Sequence, residues 1–159
     1  MLRLAAVAPE RITRALLLVP SGIANGPILP MLTRLMLPWI AYMLAPSRER
    51  LLRACAPMTT EADAAFLDLT AGILRHVRIR PEGPRLASAE ELRRFTAPVR
   101  IYAADDDIFF PASRVVPRAP ALLPNLTAVS TFHGRHFPGQ AILHEVNEEA
   151  LRFFAATED

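Results

Sequence analysis

Lysine is absent from this 159-residue chain; all 18 basic residues are arginine, set against 16 acidic ones for a formal net charge of +2. The arginines are scattered among the acids. No basic face offers itself to a phosphate backbone, so a nucleic-acid partner is not expected. Cysteine is nearly absent as well. Cys55 stands alone, which excludes an internal disulfide and any multi-cysteine metal cage. Disorder-promoting composition is missing too, with 52% of residues hydrophobic and 21% charged. The length suits one compact domain, or a piece of a larger one, with enough apolar side chains for a real core.

An uninterrupted membrane-spanning run is also lacking. Residues 27–46 come nearest, but a spanning helix needs ~20 largely uncharged residues. Here Arg34 sits near the middle, and Pro30 and Pro38 divide the stretch. Two short buried helices are expected, with interfacial membrane contact as the weaker reading. The apolar start of the chain reaches Pro9-Glu10-Arg11 too early for a signal peptide, so a cytoplasmic protein is expected. No Ser, Thr, Asp or Asn stands ahead of the first helical pattern as an N-cap. The chain is therefore expected to begin inside an element, as a truncated gene or a misplaced start would make it.

What is present alternates between strand and helix. Residues 12–20 hold the run Ala15-Leu16-Leu17-Leu18-Val19, closed by Pro20-Ser21-Gly22, which fits a strand buried on both faces. Thr60 and Asp63 have capping-box spacing. Behind them Ala62, Ala65, Phe66, Leu69, Ile73 and Val77 recur at helical intervals, predicting a helix over residues 61–77. Residues 81–84 read as a loop. Ser88 and Glu91 form a second capping box before a short helix ending at Phe95. Residues 98–104 and 125–132 read as two further strands, separated by a segment that Pro117, Pro120 and Pro124 break. The tail from Gln140 to Ala156 carries Leu143, Val146, Ala150, Phe153 and Phe154 on one face, an amphipathic closing helix. This alternation predicts an α/β fold with a parallel sheet of about three strands.

Two segments directly follow predicted strands, where parallel sheets gather functional groups. The first is Ala104-Asp105-Asp106-Asp107-Ile108-Phe109-Phe110-Pro111, and the second is His133-Gly134-Arg135-His136-Phe137-Pro138. Here the chain resembles the α/β-hydrolase family. In that family the acid of the catalytic triad follows the next-to-last strand as Gly-x-x-Asp-x-x-x-Pro. This sequence matches with Ala104 in the glycine place, pointing to Asp107. The family's histidine follows the last strand after Gly-x, and Gly134-Arg135-His136 matches. Residues 8–12, Ala-Pro-Glu-Arg-Ile, resemble the family's link into its sixth strand. The resemblance implies a partial α/β-hydrolase fold. Residues 1–26 and 85–159 would form the C-terminal part of the core, and residues 27–84 a helical cap inserted into it. It also implies a hydrolase of a hydrophobic ester or related acyl substrate, with Asp107 and His136 as catalytic residues and neither cofactor nor metal.

The family's nucleophile elbow, Gly-x-Ser-x-Gly, does not occur in these 159 residues. The chain as written is thus expected to be inactive toward simple aryl esters, and a non-catalytic remnant or binding module of the same fold is the alternative. The first strand would also lack a partner on one side, leaving an apolar edge through which the chain could associate. Other candidates are weaker. Asp105 to Asp107 could be a solvated acidic turn. His133 and His136 hint at a metal pair but have no third ligand. Ser21 lacks the elbow's leading glycine, Cys55 reads as a small buried residue, and His76 and His144 read as solvated. Met31, Leu35, Met36, Trp39 and Met43 read as cap packing or as the lining of an apolar pocket.

Overall fold

The structure is a computed structural model that describes residues 1–77 and 83–156, so Pro81 and Glu82 of the expected loop lie outside the described residues. The chain opens with α1 (Leu2–Val7), which buries Leu2 and Ala5. Three parallel strands then make one sheet in the order β1 (Ala15–Leu18), β2 (Val99–Ala104), β3 (Leu126–Phe132). The register sets Ala15 beside Val99 and Leu18 beside Tyr102, and Ala104 beside Phe132. β1 is the short apolar run bounded by turn residues, and Val99, Ile101 and Ala103 of the central strand are fully buried, whereas β3 mixes apolar residues with Thr127, Ser130 and Thr131 and is half-buried to exposed.

Between β1 and β2 lies a layer of helices. It begins with one unbroken helical run: α2 (Ile28–Pro30), a π-helical stretch (Met31–Met36) and α3 (Leu37–Leu44). This corrects the expectation of two short buried helices. Pro38 has no N–H to give the preceding turn, and the wider π-helical turn absorbs the mismatch instead of ending the helix. The run is also largely exposed, and only Leu35 and Tyr42 are buried within it. Next come α4 (Arg48–Cys55), capped by Ser47, and α5 (Ala64–His76).

The start of α5 departs from the sequence reading. Asp63 is itself the N-cap, its carboxylate accepting from Phe66 N–H at 2.7 Å, while Thr59 rather than Thr60 supplies the local side-chain bonds. Leu67, Thr70 and Leu74 face inward, whereas Leu69, Ile73 and Val77 face out. Two apolar stripes run along this helix, and packing against α4 and the Leu35–Tyr42 face selects the first.

Then follow α6 (Ala89–Leu92), α7 (Ala112–Leu122) and α8 (Gln140–Ala155). The Ser88/Glu91 capping box is complete: Ser88 Oγ accepts from Glu91 N–H at 3.2 Å, and the Glu91 carboxylate accepts from Ser88 N–H at 3.1 Å. The segment expected to be broken by prolines is instead the continuous helix α7, with Pro117 and Pro120 inside it. Each interior proline costs a helix ~3 kcal/mol in isolation. Both prolines face solvent, while Ala112, Val115, Ala119 and Leu122 bury the opposite stripe, and that burial outweighs the cost.

Two apolar cores result. One surrounds the sheet and includes Ile101, Val115, Phe95 and Phe110. The other lies among the inserted helices and includes Leu35, Tyr42, Leu51, Cys55, Met58, Leu67 and Leu74. Ile108, from the loop after β2, is a member of the second core, while Phe110 two residues later belongs to the first. That loop is pinned on both sides. Gly26 holds it from the β1 side by donating its N–H to the Phe109 carbonyl at 2.6 Å, an approach so close that a Cβ there would collide with the Ile108 carbonyl.

Candidate active site

The loops leaving β2 and β3 lie side by side because the strands are parallel neighbours. Asp107 is 2% exposed as a residue, and its two oxygens have different partners. Oδ1 accepts from Phe109 N–H at 2.8 Å, an Asx-type turn that fixes the side chain. Oδ2 lies 2.9 Å from Nδ1 of His136. A carboxylate this buried needs such partners, and the imidazole Nδ1–H supplies the second of them. The acidic turn is therefore not uniformly solvated.

His136 keeps 20% of its side chain exposed. Its ring is boxed edge-on by three phenylalanines, with centroids 4.9 Å from Phe109, 5.4 Å from Phe110 and 5.0 Å from Phe137. These contacts restrict ring rotation, so Nδ1 stays toward Asp107. Nε2 is then the nitrogen left to meet a reacting group. His136 and Phe110 line a cleft of about 700 Å³ that follows Leu16 to Gly22, with Leu2, Arg3 and Arg85 on its other walls. Val19, in this wall, has φ 43°, a left-handed conformation that a β-branched residue adopts only under strain. The cleft runs along the side of β1 that no described strand pairs.

The same loops carry two further rungs. Asp105 Oδ2 lies 3.0 Å from His133 Nδ1, and its Oδ1 accepts from Gly134 N–H at 3.1 Å. These bonds, the His133 one first, hold the Asp105 carboxyl below the usual carboxylate range. His133 itself is 94% exposed on its side chain. Asp106 Oδ2 accepts from Arg135 Nε at 3.3 Å, and Asp106 Oδ1 lies 3.6 Å from Arg34. Three consecutive aspartates thus meet three different side chains of the neighbouring loop. The His133–His136 metal pair is not formed, since each histidine takes its own aspartate. Among the described residues, no group of three His, Cys, Asp or Glu side chains could hold a metal ion.

Ser21 lines the same cleft as His136, with no hydrogen bond between them among the described residues. Cys55 is fully buried. Burial pushes its thiol up, offset in part by Thr70, which suits an inert packing residue. His144 pairs with Glu148 at 3.4 Å on the exposed face of α8, away from the site. The sequence reading singled out Asp107 and His136, which the structure brings together. It missed Arg135, Asp106 and Arg34, and it missed the phenylalanine box, although Phe109, Phe110 and Phe137 stand within the two quoted motifs. Those flanking aromatics were the available signal.

No protein-family model matches the chain, and no curated protein sequence does. Solved structures do match in shape. Naproxen esterase from Bacillus subtilis aligns with a TM-score of 0.65 at 18% identity, covering 96% of this chain and 55% of that one. A carboxylesterase from Bacillus subtilis aligns with a TM-score of 0.64 at 17% identity, covering 99% and 56%. A 2-hydroxy-6-oxo-6-phenylhexa-2,4-dienoate hydrolase from a Rhodococcus species aligns at 0.58 and 14% identity, covering 98% and 59%. This chain spans little more than half the length of each. With its three parallel strands, flanking helices and inserted helical layer, the chain carries a partial α/β-hydrolase fold.

Proposed function

We propose that the chain supplies the acid and the base of a serine hydrolase acting on a hydrophobic ester or related acyl substrate. The observation that carries this reading is the buried Asp107 carboxylate 2.9 Å from Nδ1 of a histidine that lines an open cleft. The division of labour follows from the chemistry. Asp107 holds the neutral ring in its Nδ1–H tautomer, so Nε2 carries the lone pair. Nε2 takes the proton of an attacking hydroxyl, and Asp107 then stabilises the imidazolium that forms. The proton leaves again from Nε2 to the departing group. In such triads, losing the aspartate costs roughly 10⁴-fold in kcat through the wrong tautomer.

The hydroxyl and the oxyanion donors belong to a strand-elbow-helix, and the 159 residues hold no Gly-x-Ser-x-Gly. Such a segment fits the unpaired side of β1, where its elbow would stand over the cleft. The same edge is where two copies would associate through Leu16 and Leu18, and the inserted helices would serve as the cap over an apolar substrate. Turnover of p-nitrophenyl butyrate tests the reading. The chain alone is expected to stay at background. The chain preceded by a strand-elbow-helix carrying Gly-x-Ser-x-Gly is expected to hydrolyse the ester, with activity lost in His136→Ala. An acyl-serine trapped on the 159 residues alone would overturn this division of roles. A folded, extended protein that binds the ester without turning it over would favour the alternative, a binding module that keeps the cleft and has lost the reaction.

A further inference from the structure

Arg135 reaches away from the loop that carries it. Its Nη1 donates to the backbone carbonyls of Ala56 and Thr59, the latter at 3.1 Å, while its Nε donates to Asp106 at 3.3 Å. Ala56 and Thr59 belong to the connection between α4 and α5, inside the helical layer. On the far side of His136, Phe137 is tied to the same connection. Phe137 N–H donates to the Met58 carbonyl at 2.8 Å, and the Phe137 carbonyl accepts from Thr60 N–H at 3.4 Å and from the Thr59 hydroxyl at 3.2 Å. The base is therefore bracketed. The residues before and after it are both hung on one segment of the inserted helices.

Asp106 joins this bracket to the other arm of the layer. Its two oxygens face Arg135 and Arg34, and Arg34 belongs to the π-helical stretch at the start of the insertion. Glu61 adds a stitch nearby by accepting the N–H of Gln140, the first residue of α8, at 3.3 Å. A guanidinium suits this post because its planar fork spreads its donors over separate nitrogens, so Nε and Nη1 can serve acceptors on different sides, whereas the three N–H groups of an ammonium radiate from one nitrogen. Were the helical layer to lift, Arg135 would lose both carbonyls and Phe137 its backbone bonds. His136 would then be positioned by Asp107 and the adjacent phenylalanines alone.

We propose that Arg135 is a positioning residue that couples the seating of the inserted helices to the Asp107–His136 geometry, so that the base is held in line only while the helices are docked. The coupling rests on the same acid–base pair as the proposed hydrolase, but not on the reaction assigned to it. Two readouts on the full chain test it without any substrate. Amide exchange at Thr60 and Phe137 reports the docking. Two-bond proton–nitrogen correlations of the His136 ring, taken at mildly alkaline pH, report its tautomer.

Arg135→Gln is expected to speed exchange at both amides by about tenfold or more, the size expected when charge-assisted hydrogen bonds are lost. It should also shift His136 from the Nδ1–H tautomer toward a mixture. Arg135→Lys should recover part of both. Arg34→Gln removes only the second partner of Asp106 and should leave both within about twofold of the wild type, as exposed pairs usually do. If Arg135→Gln does not fold, Asp106→Asn should give the same two changes at smaller size. Wild-type exchange and tautomer in Arg135→Gln, or in Asp106→Asn where that variant replaces it, would overturn the coupling. Faster exchange with an unchanged tautomer would also overturn it, leaving Arg135 as a structural tie alone. A wild-type ring without the Nδ1–H tautomer would instead sink the acid–base reading, and the amide exchange would still decide whether Arg135 docks the helices.

Discussion

The sheet layer and the helical layer bury their apolar residues by different means. Around the sheet, the central strand is sealed on both faces, and Phe95, Leu92, Val99, Ile101 and Val115 have no exposure at all. In the helical layer, Ile28, Leu29, Leu37, Ile40, Met43, Leu44 and Leu69 face outward, and the small core takes one of its members, Ile108, from the loop after β2. The sheet layer is held by its own packing. The helical layer is seated partly by borrowed apolar contact and partly by polar stitches at Arg135, Thr59, Phe137 and Glu61. This difference makes the helices the part of the molecule that can open locally without the sheet coming apart.

The largest effect is expected where the sheet is broken outright. Ile101→Ala empties a fully buried site in β2 and should lower global stability by about 2–5 kcal/mol, read by denaturant unfolding. Leu35→Ala removes the same kind of group from the helical layer. It should raise amide exchange within residues 28–76 well before it affects the strands. If both substitutions lowered the protection of all regions equally, the two layers would be one cooperative unit. Ile108→Ala sits between them and should loosen the helices by about 2–4 kcal/mol while the strand amides stay protected, because its side chain lies in the helical core and its backbone in the sheet loop.

Asp107→Asn comes next. It replaces a charged acceptor of the His136 bond, a loss of about 1.5–3 kcal/mol by the usual worth of such bonds. Thermal unfolding should show it, with little change in exchange at Thr60 and Phe137. A smaller effect belongs to Asp105. Its pKa is lower folded than unfolded, so its contribution is fully present above the ordinary carboxylate value, and it is lost as pH falls through the folded one. Asp105→Asn should therefore lower stability slightly at neutral pH, the loss being small because the His133 side is exposed, and the two curves should converge in the most acidic range, where the variant's limb is the flatter. Smallest of all, a triple change of Leu29, Leu37 and Ile40 to serine should alter folding stability by less than about 1 kcal/mol, as surface substitutions usually do. Binding to liposomes that fell with that change would show the outer apolar row to be a membrane-contact surface. No described helix is long and apolar enough to cross a membrane.

The sheet layer was the more legible in the sequence. Short apolar runs closed by proline or glycine have few alternatives to a buried strand, and the Ser88/Glu91 box fixes a helix start by a bond pattern three residues long. The two loops were legible because each follows a strand, and within them Asp107 and His136 stand where the resemblance to the α/β-hydrolase motifs places an acid and a histidine. The helical layer was not. Its run from Ile28 to Leu44 is apolar nearly all round, so the sequence could not say which face would be covered.

What the sequence by itself determined is the order of the three strands, the helix start at Ser88, the closing helix, and the two loops after neighbouring strands in which the acid and the histidine lie. These rest on interactions within a few residues, or on hydrophobic period. Only the tertiary structure decided which stripe of α5 is buried, that α7 continues through Pro117 and Pro120, and which of the three aspartates meets which partner. Each of these choices is a contest between near-equal local options. It is settled by contacts between distant residues, as when the Arg135 guanidinium selects the carbonyls of Ala56 and Thr59, and no pattern along the chain records such a contact.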